Sequence, residues 1–222
     1  MLRHVDEELK ELHKDILMLA VSVQEAISKS IESLKNRDKD LAQEVIDSDG
    51  KIDELELAID EKCIDLIARY QPMAGDLRYI TTGLKINAEL ERIADIAVDI
   101  AQRSLELMQK PLLKPLVDIP RLSQIAREMV RDSIDAFIKK DAQLARRVAL
   151  ADADADRLRN LVQDELVNEY MAHDPKTAER AVALLLIARY LERICDHTTN
   201  IAEDVVYMVE AKVVKHHPEE LQ

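Results

Sequence analysis

Glu91, Asp95 and Asp99, in the stretch ELERIADIAVD, stand four residues apart, the spacing that stacks side chains along one side of an α-helix. Stacked carboxylates repel one another. Glu91 and Asp95 flank an apolar stripe centred on Leu90 and continued by Ile86, Ile93, Ala94, Ala97 and Ala101, and Asp99 lies farther round. Asp49, Asp53, Glu56 and Asp60 form a second acidic edge, beside Ile52, Ile59 and Cys63. If the two segments are neighbouring antiparallel helices, their carboxylate columns face each other, which costs energy unless a cation lies between them. Oxygen-only donors at such spacing suit hard or borderline cations: Mg²⁺, Mn²⁺, Ca²⁺ or iron.

The pattern occurs twice. At an offset of 103 residues, Ser30, Ile31, Asp38, Asp49, Asp53 and Pro72 face Ser133, Ile134, Asp141, Asp152, Asp156 and Pro175. After a two-residue gap LERIAD (90–95) faces LERICD (191–196). The second set of candidate ligands is therefore Asp152, Asp156, Glu192, Asp196 and Asn200, matching Asp49, Asp53, Glu91, Asp95 and Asp99. It carries less negative charge, with Arg159 in the place of Glu56, Gln163 in that of Asp60 and Asn200 in that of Asp99. The first set is expected to hold cations more tightly, or more of them. A lone E-x-x-x-D is usually a solvated helix flank; recurrence of both columns separates this case from that one. The competing expectation is that Arg92 and Arg193 neutralise the acids by pairing across the bundle.

The elements that must position these residues are helices. Leu9, Leu12, Ile16, Leu19, Val23, Ile27, Ile31 and Leu34 recur at spacings of three and four. NRDKD (36–40) ends that helix, with Asp38 as N-cap of a second one reaching Tyr70, and QPMAGD (71–76) makes the next turn. A third helix is expected from about Leu77 to Gln109, stopped by KPLLKP (110–115). The pattern then restarts: a helix to Lys139, a break at KKD, a helix to Met171, a break at HDP, and a helix to about Val214. Asp49-Gly50 resembles a turn, but its Ala-rich counterpart ALADADADRL has no breaker, so helix two should run through. The expected architecture is all-α: six long antiparallel helices in two tandem three-helix bundles, residues 1–113 and 114–222, neither independent of the other.

Composition agrees. Three Gly, six Pro and no Trp, with 34% charged and 47% apolar residues, leave too few turn-formers for a β protein. The excess of 44 acids over 31 Lys and Arg disfavours nucleic acid and anionic membrane as partners, and favours cations and basic protein surfaces. No apolar run reaches membrane-spanning length, and two distant cysteines suggest a reduced, cytoplasmic setting. No His follows a Glu at the di-iron spacing, and no glycine-rich phosphate loop or nucleophile signature exists. His197 reads as a partly exposed neighbour, His216 and His217 as tail residues, Cys63 and Cys195 as core, and Met18, Met129 and Met171 as core fillers. Nothing in these residues argues for catalysis.

The repeated LERI-x-D, the turn formed by Gln71, Pro72, Ala74, Asp76, Leu77 and Arg78, and the D-x-x-x-D of the preceding helix together resemble the PhoU family over essentially the whole chain. The resemblance implies a non-enzymatic regulator of phosphate uptake and the phosphate-starvation response. Its implied partners are the ATPase subunit of the phosphate ABC transporter and a sensor histidine kinase, and it implies a homodimer. It also implies divalent or trivalent metal ions (iron, manganese, magnesium or zinc) at the E/D-x-x-x-D motifs, and no organic cofactor. By residue these are Glu91 and Asp95, and Glu192 and Asp196, with Asp49, Asp53, Asp152 and Asp156 from the preceding helices. The second half departs at HDPKTAE, which lacks the A-x-DLR run, and at Asn200. A metal-dependent enzyme and a metal-free helical scaffold are the alternatives.

Overall fold

The computed structural model describes residues 2–215, with side chains from Glu7 onward; His216 and His217 lie outside the described residues. Six long helices make up the fold: α1 (Leu2–Asn36), α2 (Lys39–Tyr70), α3 (Ala74–Met108), α4 (Asp118–Lys139), α5 (Ala142–Glu165) and α6 (Ala178–Glu210). No strand occurs among the described residues, and no helix there is long and apolar enough to cross a membrane.

Helix starts repeat as the sequence does. Asp38 accepts a hydrogen bond from the Leu41 N–H at 3.0 Å, and Asp141 one from Leu144 at 2.9 Å. Each satisfies one of the free donors of a first helical turn and places negative charge at the positive end of the helix dipole. Helix ends close on left-handed residues that are not glycine: Gln71, Lys140 and Ala211, with φ of 44°, 53° and 56°. Helix α2 does run through Asp49-Gly50.

Several details differ from expectation, among them the end of α6 at Glu210, four residues short of Val214. Helix α3 begins at Ala74, three residues early, and α5 gives way at Leu166 to a π-helical turn (Leu166–Met171) and then a 3₁₀ turn (Pro175–Thr177). Pro175 cannot donate into a regular helix, and Asp174 caps the short turn by accepting from the Lys176 N–H. Met129 is buried and Met171 partly so, but Met18 is exposed: α1 buries Leu12, Ile16, Leu19, Ala20 and Val23, which turns position 18 outward.

Helices α3 and α6 form the spine. Helix α3 packs on α1, α2 and α6, and α6 packs on α3, α4 and α5; α1 also meets α4. Helices α2 and α5 lie outside, each against its own repeat. Burial follows this plan: Ile80, Ile86, Leu90, Ile93, Ile96 and Ile100 of α3 join Leu184, Ile187, Leu191, Ile194 and Ile201 of α6 in one apolar cluster spanning both halves. The close approach of α1 to α3 uses Gly83, where a Cβ would stand 3.2 Å from the Ile16 Cδ1. Tyr79 of α3 stacks on Phe137 of α4, with ring centroids 4.7 Å apart, so the repeats also share an aromatic contact.

Candidate functional site

The packing of α2 on α3 and of α5 on α6 brings the acids of each repeat together as two ladders. In the first, the antiparallel register sets Asp60 and Glu56 beside Asn87, Asp53 and Glu56 near Glu91, and Asp49 near Asp95. Burial raises the Asp49 carboxyl above its usual range, and Asp53 and Asp95 push it further up. Glu91 is raised by burial and by Asp95, with some relief from Arg92. Glu56 is raised by burial, then by Asp60 and Asp53. Asp99 lies one turn beyond Asp95, past Asp49, where the α2 column of the ladder ends.

The second ladder repeats the first. Burial, then Asp196, Asp156 and Glu192, raise the Asp152 carboxyl from 3.8 to about 6. Asp196 is raised by burial, Glu192 and Asp156, against the opposing pull of His197 and Arg189. Cys195, packed behind these acids, has its thiol held far above the usual range by burial, and Cys63 is pushed up to about 12 for the same reason. Both thiols are buried and inert in this state, as core residues should be.

Arg92 does not follow the competing expectation. Arg92 does not cross the bundle; it reaches along its own helix to Glu91 at 3.5 Å and Asp95 at 3.7 Å. The arginine that crosses is Arg159, whose guanidinium on α5 meets Glu192 on α6 at 3.2 Å and Asp156 at 3.8 Å. Asn200 also turns elsewhere, donating to Glu89 of α3 at 3.4 Å across the seam between repeats. His197 binds the same Glu89 oxygen through Nδ1 at 2.6 Å.

Asn87 was not among the candidate ligands. It is fully buried, and its Nδ2 donates to the Glu56 carbonyl at 2.8 Å, to Asp60 at 3.1 Å and to Glu56 Oε1 at 3.3 Å. A signal existed: Asn87 precedes Glu91 by four residues and so heads the same column. Glu89 gave none, because its partners lie 108 and 111 residues away.

The donor set fits a hard cation in one specific respect. The inner oxygen of Asp49, Oδ1, is buried without a hydrogen-bond partner, and so is Oδ1 of Asp152, its counterpart. Buried acceptors normally find partners, so the same orphan in both repeats marks where a positive group would fit. Among the described residues no three or more Asp, Glu, His or Cys side chains close around one point; the acids stay spread along the two ladders.

Residues 16–104 and 119–205 each match the family model described as the PhoU domain. An Aquifex aeolicus protein named as a homologue of the phosphate-specific transport system accessory protein PhoU is 44% identical over 210 residues, 95% of each chain. A Thermotoga maritima homologue is 35% identical over 99% of this chain and 93% of its own. The crystal structure of PhoU from Pseudomonas aeruginosa superposes with a TM-score of 0.88 at 35% identity, covering 93% of this chain and 99% of that one. Two matched repeats, near-complete coverage and the shared six-helix architecture leave one conclusion: the chain belongs to the PhoU family.

Proposed function

We propose that this protein is a non-enzymatic accessory regulator of phosphate uptake and of the response to phosphate starvation. It works in the cytoplasm as a homodimer, by contact with the ATPase subunit of a phosphate transporter and with a sensor histidine kinase. Support for the transport role comes from the relatives. They are named accessory proteins of the phosphate-specific transport system, and the Streptococcus pneumoniae structure, 28% identical with a TM-score of 0.87, is titled a phosphate transport system regulatory protein. An acidic helical exterior suits basic docking surfaces on such partners.

The regulator carries cations on its carboxylate ladders. The observation that carries this reading is the paired orphan, Asp49 Oδ1 and Asp152 Oδ1, each inside a set of acids whose carboxyls are raised by burial and by one another. Asp49, Asp53, Glu91 and Asp95 would hold one group of ions, and Asp152, Asp156, Glu192 and Asp196 the other. Iron, manganese, magnesium or zinc would supply the neutralising charge and an oxygen-coordinating centre. The ladders are partly exposed, which leaves their side chains room to rotate toward a bound ion.

Two measurements test the reading. Protein loaded with Mn²⁺ or Fe²⁺, desalted and assayed for metal should retain it, and Glu91→Ala/Asp95→Ala should lose the share held by the first ladder. Wild type that retains no metal under any loading condition sinks the cation assignment. The purified ATPase subunit should bind the immobilised regulator; absence of binding, with and without phosphate, sinks the contact assignment.

A further inference from the structure

Helix α1 presents one apolar turn to solvent. Leu17, Met18 and Val21 are 41%, 53% and 47% exposed, on the face turned away from buried Ile16, Leu19, Ala20 and Val23. The fold does not require this. At the 103-residue offset α4 carries Pro120, Arg121 and Gln124, the last two exposed. Leu57 and Ile64 of α2 are also exposed, but they stand singly, two turns apart. Adjacent apolar side chains held in water mark a contact surface, as scattered ones do not.

We propose that the outer face of α1, with the α1–α4 groove beside it, receives a second copy of this chain, the two α1 helices lying antiparallel across a two-fold axis at Val21. The inference rests on the homodimer reading above and deepens it, by assigning the surface on which the copies meet.

Charge selects the occupant. The chain carries a formal net charge of -13, so two copies repel unless they meet on a balanced surface. Helices α1 and α4 together hold nine Lys and Arg against eleven Asp and Glu, whereas α2 alone holds four against ten. A basic partner is drawn to α2; another copy of the same acidic chain meets least repulsion at α1 and α4.

The charges on the face are also self-complementary. Lys10 and Lys14 lie N-terminal to the apolar turn and Glu25 and Glu32 lie C-terminal to it, all four exposed. At about 100° per residue, each falls within about 40° of the direction of Val21. Antiparallel pairing centred on Val21 sets Lys10 opposite Glu32 of the second copy and Lys14 within a turn of its Glu25. Two-fold symmetry makes each pair occur twice. Parallel pairing would set each of these charges against its own like.

Size brings in the groove. From Lys10 to Lys35 the face is about 38 Å long and, at one helix diameter, about 10 Å wide. That is roughly half of the ~800 Å² that each partner gives to a standard interface. Helix α4 must therefore contribute, across a recess of about 310 Å³ lined in part by Gln24, Ser28 and Glu32 of α1 and by Gln124, Arg127 and Glu128 of α4. Amides, hydroxyls and charges of both signs suit the polar rim that surrounds an apolar centre.

Sedimentation velocity of the full-length protein over a range of concentrations tests this. Wild type should form a dimer. Val21→Glu, which sets two carboxylates against each other on the axis, should raise the dissociation constant at least about tenfold. Val21 is half-exposed, so the chain keeps its fold. Lys10→Glu and Glu32→Lys should each weaken the dimer, and the double exchange should restore it. Val21→Cys should give a covalent dimer on oxidation by copper phenanthroline, because on the axis a residue meets its own copy; Leu57→Cys should not. Native Cys63 and Cys195 are buried and take no part. A wild-type dimer that Val21→Glu leaves intact, or a Val21→Cys protein that stays unlinked, overturns the inference and leaves the homodimer reading standing. A double exchange that associates no better than either single one overturns the register, and the proposal with it. A monomeric wild type overturns the homodimer reading as well, so the two failures are told apart.

Discussion

Asp49 and Asp152 occupy equivalent places on α2 and α5, and each turns one carboxylate oxygen, Oδ1, into the protein where no donor meets it. Both carboxyls are raised in the first instance by burial. The two positions therefore share a defect that the fold alone does not repair, and it has a definite pH signature.

The Asp152 carboxyl titrates near 6 in the folded chain against an ordinary 3.8, so between those values the folded state holds the proton that the unfolded state has lost. Stability of chelator-treated protein should accordingly fall as pH rises through that window, with the full penalty present above it. Asp152→Asn removes the penalty. At pH 8 it should stabilise the metal-free protein by up to about 3 kcal/mol, and the advantage should vanish below about pH 4. Urea midpoints of the two proteins across that range check the prediction. Saturating Mn²⁺ should reverse the order at pH 8, because Asn offers a neutral carbonyl oxygen in place of a charged carboxylate.

The Asn87 clamp makes a separate prediction. Truncation to Ala leaves Glu56 and Asp60 without a shared donor and removes a hydrogen bond to the Glu56 carbonyl at 2.8 Å. It also removes an unsatisfied buried oxygen, which offsets part of the loss. The net destabilisation should be about 1 kcal/mol in metal-free protein, small enough for the chain to stay folded. Chemical denaturation measures it, and a loss above about 3 kcal/mol would show that the amide is chiefly a structural pin.

What the sequence disclosed divides by distance along the chain. Helix positions, the Asp38 and Asp141 caps and the paired acidic columns follow from periodicities of three and four, which are local. The doubled LERI-x-D allowed one repeat to interpret the other, as at Gly50. Relations between helices were out of reach. Arg159 announced itself only as a missing acid, since its meeting with Glu192 depends on how α5 and α6 are rotated. Arg92 lay closer in sequence to the acids it was expected to bridge, yet its side chain stays on the outer face. Asn200 aligned with Asp99, but that its amide donates to Glu89 depends on the proximity of α3, which the alignment did not disclose.

Glu89 also links the halves. Its Oε2 meets His197 at 2.6 Å, with both side chains roughly three-quarters buried, while Lys85 and Asp204 pair at 2.7 Å farther along the same seam. A double-mutant cycle on Glu89→Gln and His197→Gln should yield a coupling energy of roughly 0.5–1.5 kcal/mol. Because the apolar cluster is continuous across α3 and α6, calorimetry should show one transition, with matching van't Hoff and calorimetric enthalpies. Two resolved transitions would mean that the repeats unfold as separate units.

Two helical glycines should answer to alanine with opposite signs. Gly50 sits inside α2, right-handed and exposed, and a Cβ there would meet nothing within 4 Å. Gly50→Ala should raise stability by about 0.5–1 kcal/mol through helix propensity and a less flexible unfolded chain. Gly83 would gain the same propensity, but its Cβ would press on Ile16 Cδ1 at 3.2 Å, with Leu12 and Phe137 each 3.9 Å away. All three neighbours are fully buried, so Ile16 has little room to yield. Overpacking at about 1–3 kcal/mol exceeds the helical gain, and Gly83→Ala should be destabilising. Thermal midpoints of the two variants decide the matter: a stabilised Gly83→Ala would mean that the α1–α3 contact can open by a few tenths of an ångström without loss.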